Sequence, residues 1–310
     1  MRLRLVLFVD AKTERAPRVG LLTDKGILDP AAAWDAARGP FPPDAVAVIA
    51  SDPARLHCEQ ILRDPTGVPS YAQDEVRLAA PLPRPNSFRD FYAFEEHVRN
   101  ARARRGLAVP EEWGRIPVFY FSNHGAIFGP EEKIRAPRAT RQLDFELEIG
   151  CVIGRPGRDI PVEEASGYIA GYCVLNDWSA RDIQAEEMKV GLGPAKGKDF
   201  ATSIGPALVT PDEIDDARSG KGYDLAMTAR RNGRLISRGS WKSIHWSFEE
   251  MIARASCDVR LHPGDLLGSG TVGTGCILEL GPEAAGGWLE AGDRIDLEIE
   301  RLGLLSNTIA

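Results

Sequence analysis

From about residue 80 onward the chain is a succession of short apolar runs, each soon stopped by Gly, Pro or Asp: IPVFYF, FELEIGCVIG, GYIAGYCVL, TSIGPALV, YDLAMTARRNG, DLLGSG, CILELG and RIDLEIERLG. Runs this short and this closely spaced read as strands rather than helices. Helical patterns between them are few: FEEHVRNARAR, VEEASG, SARDIQAEEM and SFEEMIARAS. Many strands with few helices predict a mixed α/β, β-rich fold, a sandwich or closed roll, and not a doubly wound parallel sheet.

The first 80 residues read as a smaller α+β unit. RLRLVLFVD and RVGLLTDKGILDP are expected to be two strands joined by the polar turn AKTERAP, with Gly26 at a hairpin turn, and short helices are expected near Pro30 to Ala37 and Ala54 to Arg63. The three prolines of VRLAAPLPRPNSFRDFY then place a boundary near residue 80, giving a small unit over 1–80 and a larger one over 81–310. A chain of 310 residues is long enough for one large domain and a smaller one.

Several function classes fall away. No apolar run approaches the roughly 20 residues of a membrane-spanning helix, and the start, MRLRLVLFVD, meets Asp10 before any small-residue cleavage site, so it reads as a first strand. The five cysteines are scattered, without metal or disulfide spacing, which makes the cytoplasm the default location. A net charge of -7 argues against a nucleic-acid partner, and the basic run from Arg99 to Arg105 reads as a solvated face. There is no Walker A loop, no GxGxxG opening a helix and no GxSxG elbow.

Acidic residues carry the chemistry that remains. In LDFELEIG, Asp144, Glu146 and Glu148 alternate with Phe145, Leu147 and Ile149, which places the carboxylates on one face of a strand. That face either lies in water or gathers a hard cation that relieves the mutual repulsion. Asp177 ends the apolar run of GYIAGYCVLNDW, where it serves either as a pocket ligand or as the N-cap of the following helix. Arg181 follows one helical turn later and Gln184 the next. Asp90, Tyr92 and His97 occupy a strand-to-helix junction, although nothing local separates His97 from His57, His124, His245 and His262. Lys198 and Thr202 sit in the glycine-bearing segment GKGKDFATSIGP, where the lysine either balances carboxylates or is solvated. Thr271 lies in a glycine-rich turn, and Glu279 alternates with Leu278 and Leu280 in an expected strand, either as an exposed face or as part of a site.

Taken in order, LDFELE, NDWSARDIQ, GKDFATSIGP, LLGSGT and LEAGDRIDLEIERLGLLSN resemble the fumarylacetoacetate hydrolase family from about Asn86 to Asn307. The resemblance implies a mixed β-sandwich roll in the C-terminal domain, a homodimer, and a divalent cation, Mg2+ first, with Mn2+ or Ca2+ as alternatives. It carries metal ligation to Glu146, Glu148 and Asp177, and gives Asp144 no ligand role. The DFYxxxxH pattern resembles the hydrolase branch, with Asp90 as a fourth ligand and His97 as general base oriented by Glu279. Arg181, Gln184 and Lys198 match substrate and oxyanion contacts, with Tyr92, Tyr120, Thr202 and Thr271 as neighbours. The implied activity is hydrolysis of a carbon-carbon bond in a small β-diketo acid of aromatic catabolism. The alternative is decarboxylation or keto-enol tautomerisation of an oxaloacetate-like acid; a non-catalytic cation-binding protein is a third reading. Three departures bear on the substrate. Met188 stands where the fumarylacetoacetate enzyme has a substrate-contacting tyrosine, the interval from Gln184 to Lys198 is one residue longer, and Gly106 replaces an arginine, with Arg104 and Arg105 close by.

Overall fold

A computed structural model describes residues 2–12, 16–104 and 106–310, so Arg105 lies outside the described residues. Its spine is three neighbouring antiparallel strands, Leu147–Ile153, Ile169–Asp177 and Thr202–Val209. All but Ile169 are buried. Both faces are covered, which is why these segments read as continuous apolar runs and not as alternating ones.

On one side the first strand, Arg4–Asp10, pairs with Thr202–Val209 and carries the hairpin of Arg18–Thr23 and Gly26–Leu28 together with Val76–Ala79. The segment before residue 80 therefore extends the same sheet. On the other side Leu266–Gly268 pairs with Leu147–Ile153 and then, in parallel, with Phe88–Phe91, which pairs in turn with Phe119–Ser122. A second sheet of five strands, running Arg234–Ser240, Ala226–Arg231, Arg294–Ile299, Gly303–Ile309 and Lys133–Ile134, packs over one face. Its first hairpin turns at Asn232 and Gly233, both with positive φ (52° and 79°), as a two-residue turn requires.

Strand side chains alternate between faces. Leu147, Ile149, Cys151 and Ile153 accordingly share a core with Met227, Ala229, Leu297 and Leu305 of the second sheet. The opposite face, with Phe88, Val152, Cys173 and Leu175, shares a core with Leu5, Leu21, Val48 and Ile61 of the N-terminal segment. The β-rich mixed α/β sandwich expected from the sequence is the fold observed. Among the described residues no helix is long and apolar enough to cross a membrane.

Some local expectations need correction. The strand expected to begin at Phe145 begins at Leu147, because Leu143–Asp144 turns away to pair with Ser179–Ala180. CILELG is not a strand: Ile277–Leu280 is one short helical turn. A buried carboxylate causes this, since Asp144 accepts the backbone N–H groups of Ile277 (2.7 Å) and Leu278 (3.0 Å) and so caps the turn. The helix near Pro30 is a pair of 3-10 turns, Pro30–Ala33 and Ala36–Arg38, each capped by an aspartate side chain. The second expected helix is Asp52–Arg63.

Candidate active site

The pleat places three carboxylates on one face of the large sheet. Asp90 shares the face of Phe88, Glu148 that of Val152, and Asp177 that of Cys173 and Leu175. Trp178 fixes this register, because its fully buried ring packs into the opposite core and its Nε1 donates to Ser203 Oγ at 2.8 Å. Burying such a ring contributes about 2–3 kcal/mol or more, and slipping by one residue would invert both side chains. Asp177 is thus a floor residue, and its reading as a helix cap is overturned. Helix Arg181–Val190 has Ala180 at its N-cap position and no side-chain cap. Gly268 lies between the strands of Asp90 and Glu148, where a Cβ would fall on the Asp90 carboxylate.

Oxygens of Asp90, Glu148 and Asp177 lie within 4.8 Å of one another, all buried. Glu148 accepts from Gly270 N at 3.0 Å and Thr271 Oγ1 at 3.4 Å, while Asp177 Oδ1 is buried with no hydrogen-bond partner. Burial first, and then the neighbouring carboxylates, raises Asp90 and Glu148 well above the usual carboxylate range. An orphaned carboxylate oxygen inside an all-oxygen, mutually repelling donor set fits a hard divalent cation such as Mg2+, Mn2+ or Ca2+.

Glu146 sits beside this trio with both oxygens engaged. Oε1 accepts from Arg181 Nη2 at 2.7 Å and Oε2 from Lys198 Nζ, which also donates to Asp177 Oδ2 at 2.8 Å. Burial would raise Glu146, but Arg181 and Lys198 outweigh it and hold the carboxyl below its ordinary range. Lys198 likewise overcomes the cost of burial through Asp177 and Glu146 and stays charged. Arg181 also donates from Nε to Asp144 Oδ2 (2.8 Å) and from Nη1 to Gln184 Oε1 (3.1 Å). Asp144 is therefore a support for Arg181 and for the helical turn. None of these carboxylates forms a solvated strand face, and Lys198 is no solvated loop lysine; each is at least 96% buried.

The wall opposite is a histidine-carboxylate pair. His97 lies on helix Glu95–Ala103, on the buried side with Val98 and Ala101. Its Nδ1 is 2.6 Å from Glu279 Oε2. A carboxylate only accepts, so Nδ1 carries the hydrogen and Nε2 is left as the basic nitrogen. Glu279 is steadied by Asn100 Nδ2 at 3.2 Å and Thr274 N at 3.0 Å on its other oxygen. Burial pushes Glu279 up, but its hydrogen bonds, that of His97 foremost, bring it below its ordinary value. The Tyr92 ring stands edge-on to His97 with centroids 5.2 Å apart.

These groups enclose a cavity of about 280 Å3, at the small end for ligand sites. Asp90, Tyr92, His97, Tyr120, Glu146, Glu148, Arg181, Gln184, Lys198 and Thr271 line it. Asp177 lies one contact behind, accepting from Tyr120 Oη at 2.5 Å, and Glu279 lies behind His97. Thr202 does not reach the cavity wall; it is paired with Asp177 and Ile127 within the sheet. The sequence reading missed the apolar lining from Phe91, Val118 and Phe119, and also Arg102, which belongs to the basic run read as solvated. Met188 lines the cavity as well.

Residues 86–310 match the family described as fumarylacetoacetate (FAA) hydrolase C-terminal. The mitochondrial oxaloacetate tautomerase fahd2 of Xenopus laevis is 35% identical over 207 residues, covering 66% of this chain and 60% of that protein. Fumarylacetoacetase of Arabidopsis thaliana is 28% identical over 298 residues, covering 80% and 69%. The structure of fumarylacetoacetate hydrolase from psychrophilic Exiguobacterium antarcticum superposes with a TM-score of 0.74 at 25% identity, covering 99% of each chain. The relatives are enzymes, and the chain belongs to the fumarylacetoacetate hydrolase family.

Proposed function

We propose that the chain is a divalent-cation-dependent hydrolase that cleaves a carbon-carbon bond of a β-diketo acid. The observation that carries this reading is the His97–Glu279 pair, 2.6 Å apart, set in the wall of a cavity floored by buried carboxylates. A structural cation needs no positioned base; a hydrolase does. Asp90, Glu148 and Asp177 would hold the cation, Mg2+ first, with Glu146 as a fourth ligand through the lone pairs that Arg181 and Lys198 leave free. When bound, such an ion supplies a Lewis acid for the keto-acid head and a counter-charge for the enolate that leaves.

The protein groups perform the remaining steps. His97 takes a proton from water at Nε2 while Glu279 fixes the ring and stabilises its charged form. The hydroxide adds to the distal carbonyl carbon. Two of the three Lys198 ammonium protons are engaged by Glu146 and Asp177, leaving one for the new oxyanion. Gln184 accepts from Arg181 through Oε1, so its NH2 is the second donor. Such donors are worth roughly 3–4 kcal/mol each in other enzymes. The carbon-carbon bond then breaks, His97 returns its proton to the enolate carbon, and two carboxylic acids result.

The 35% identity to an oxaloacetate tautomerase favours a second reading, in which His97 moves a proton between carbon and oxygen of an oxaloacetate-like acid without activating water. Product analysis separates the two. Acylpyruvates, fumarylpyruvate-like diketo acids and oxaloacetate are assayed with Mg2+, Mn2+ or Ca2+ after chelation. Paired carboxylic acids support hydrolysis; enol-keto exchange or CO2 alone rejects it.

A further inference from the structure

We propose that His97, Cys276 and Glu279 form a second cation site, suited to a borderline-soft divalent ion such as Zn2+, whose occupation disables His97 as a base. The site itself stands on geometry; its effect on turnover rests on the reading of His97 as the base of the reaction. Two clusters of three potential metal ligands occur among the described residues: the acidic floor of Asp90, Glu148 and Asp177, and this trio at the cavity wall. The floor offers oxygen alone, the donor of hard cations. The trio offers a ring nitrogen, a sulfur and a carboxylate oxygen, a donor set of Zn2+.

Two short elements bring the three donors together. Cys276 is the N-cap residue of the turn Ile277–Leu280 and directs its Sγ at Glu279, three residues on. Helix Glu95–Ala103 presents His97 to the same carboxylate. One donor atom from each residue lies within 4.8 Å of the other two, and all three residues are buried. His97 Nδ1 is 2.6 Å and Cys276 Sγ 3.4 Å from one atom, Glu279 Oε2. Ligands of a tetrahedral Zn2+ stand about 3.3–3.7 Å apart, so the sulfur-oxygen spacing is already met and the nitrogen-oxygen contact must open by under about 1 Å. The other oxygen, Glu279 Oε1, stays with Asn100 Nδ2 and Thr274 N, which fix the carboxylate while Oε2 changes partner.

Occupation has a definite proton balance. Burial pushes the Cys276 thiol well above its ordinary value, so the metal-free site carries it as S–H. A coordinating thiol is deprotonated outright, so one proton goes to solvent as the metal-sulfur bond forms. Thiolate and carboxylate together then cancel the charge of the ion, which suits a buried site. Coordination through Nδ1 needs its lone pair, and the ring hydrogen moves from Nδ1 to Nε2. Nε2 is the nitrogen that takes the proton from water, and once it carries a hydrogen it has no lone pair to do so. The reaction therefore stops with the acidic floor untouched. Mg2+, which takes oxygen ligands and dehydrates reluctantly, does not compete for the sulfur.

The test uses the full chain in excess Mg2+, with Co2+ as spectroscopic probe and Zn2+ as inhibitor. A near-ultraviolet thiolate-to-Co2+ charge-transfer band is expected, lost in Cys276→Ser and kept in Cys257→Ser, which removes the exposed thiol. Calorimetric Zn2+ affinity is expected to fall at least about 100-fold in Cys276→Ser, the upper end of what losing an outer-shell partner costs. Turnover of a diketo acid should stop at the Zn2+ concentrations that fill the site, and Cys276→Ser, read against its own zinc-free rate, should need about 100-fold more. Absence of the band, or equal zinc sensitivity in wild type and Cys276→Ser, overturns the proposal. Should Cys276→Ser fail to fold, His97→Asn, read by the Co2+ band and Zn2+ affinity alone, carries the test with the same threshold. A band with turnover untouched by saturating Zn2+ keeps the site and rejects His97 as the base, whereas zinc inhibition without a band rejects the site and leaves the base standing.

Discussion

Replacing Asp144 tests whether the site is organised by a residue that touches neither cation nor substrate. Its carboxylate is fully buried and accepts from Arg181 Nε, Phe145 N, Ile277 N and Leu278 N. Asp144→Ala removes one partner of a buried ion pair, a loss of about 3–5 kcal/mol, and orphans the N–H groups of Ile277 and Leu278 at up to about 1–3 kcal/mol each. These effects overlap, and burial itself raises Asp144, so part of the gain is already offset by desolvation. A net loss of about 3–5 kcal/mol is expected. For 310 residues the unfolding entropy is about 0.65 kcal/mol/K, so the melting temperature should fall by about 5–8 °C. Asp144→Asn keeps the shape and one acceptor but cannot accept from both Arg181 and the helical turn, and should lose about half as much. Scanning calorimetry on the purified variants measures this. Because Glu279 rides on the turn that Asp144 caps, kcat should fall in both variants. A melting temperature for Asp144→Ala within about 1 °C of wild type would refute the assigned role.

Other perturbations address the floor and the wall. Gly268→Ala drives a Cβ into the Asp90 carboxylate and should weaken Mg2+ binding about 10–100-fold with the fold retained, as read by calorimetry and circular dichroism. Glu279→Gln should lower kcat by about 10²–10⁴-fold with little change in KM, because the ring loses the partner that sets its tautomer. The same variant carries a pH signature. Glu279 in the folded protein lies below its ordinary 4.5, so its stabilisation is complete above that value and is lost as pH falls through the folded-state value. The stability gap between wild type and Glu279→Gln should therefore narrow on acidification, and a constant gap across that window removes the assignment. EDTA should abolish turnover and added Mg2+ or Mn2+ should restore it; indifference to chelation excludes the cation from the reaction.

The sequence made the strands legible because buried strands covered on both faces are continuous apolar runs, as in GYIAGYCVL. The cavity was less so, since local rules assign a residue to a face without saying what covers it. The alternation of LDFELE is compatible with water locally; what covers its carboxylates is Arg181 and Lys198 against Glu146 and Gly270 and Thr271 against Glu148. Asp177 satisfied a capping rule locally; the burial of Trp178 decided otherwise. Glu279 looked like a strand residue because a four-residue run is too short for period two and period 3.6 to separate, and its cap, Asp144, lies 133 residues away in the chain. Arg102 carried no signal at all within a run of arginines that satisfied the expectation of a solvated helix face. Thr202 was placed by resemblance alone, and its pairing in the sheet keeps it from the cavity wall.

In the proposed reaction His97 is a base separate from the cation site. The decisive measurement pairs two readings on one variant, His97→Asn: turnover of an accepted diketo acid, and calorimetric Mg2+ affinity. The predicted result is a loss of kcat of at least about 10²–10⁴-fold with Mg2+ affinity unchanged. Turnover close to wild type in a variant that still binds Mg2+ would contradict the account at its centre.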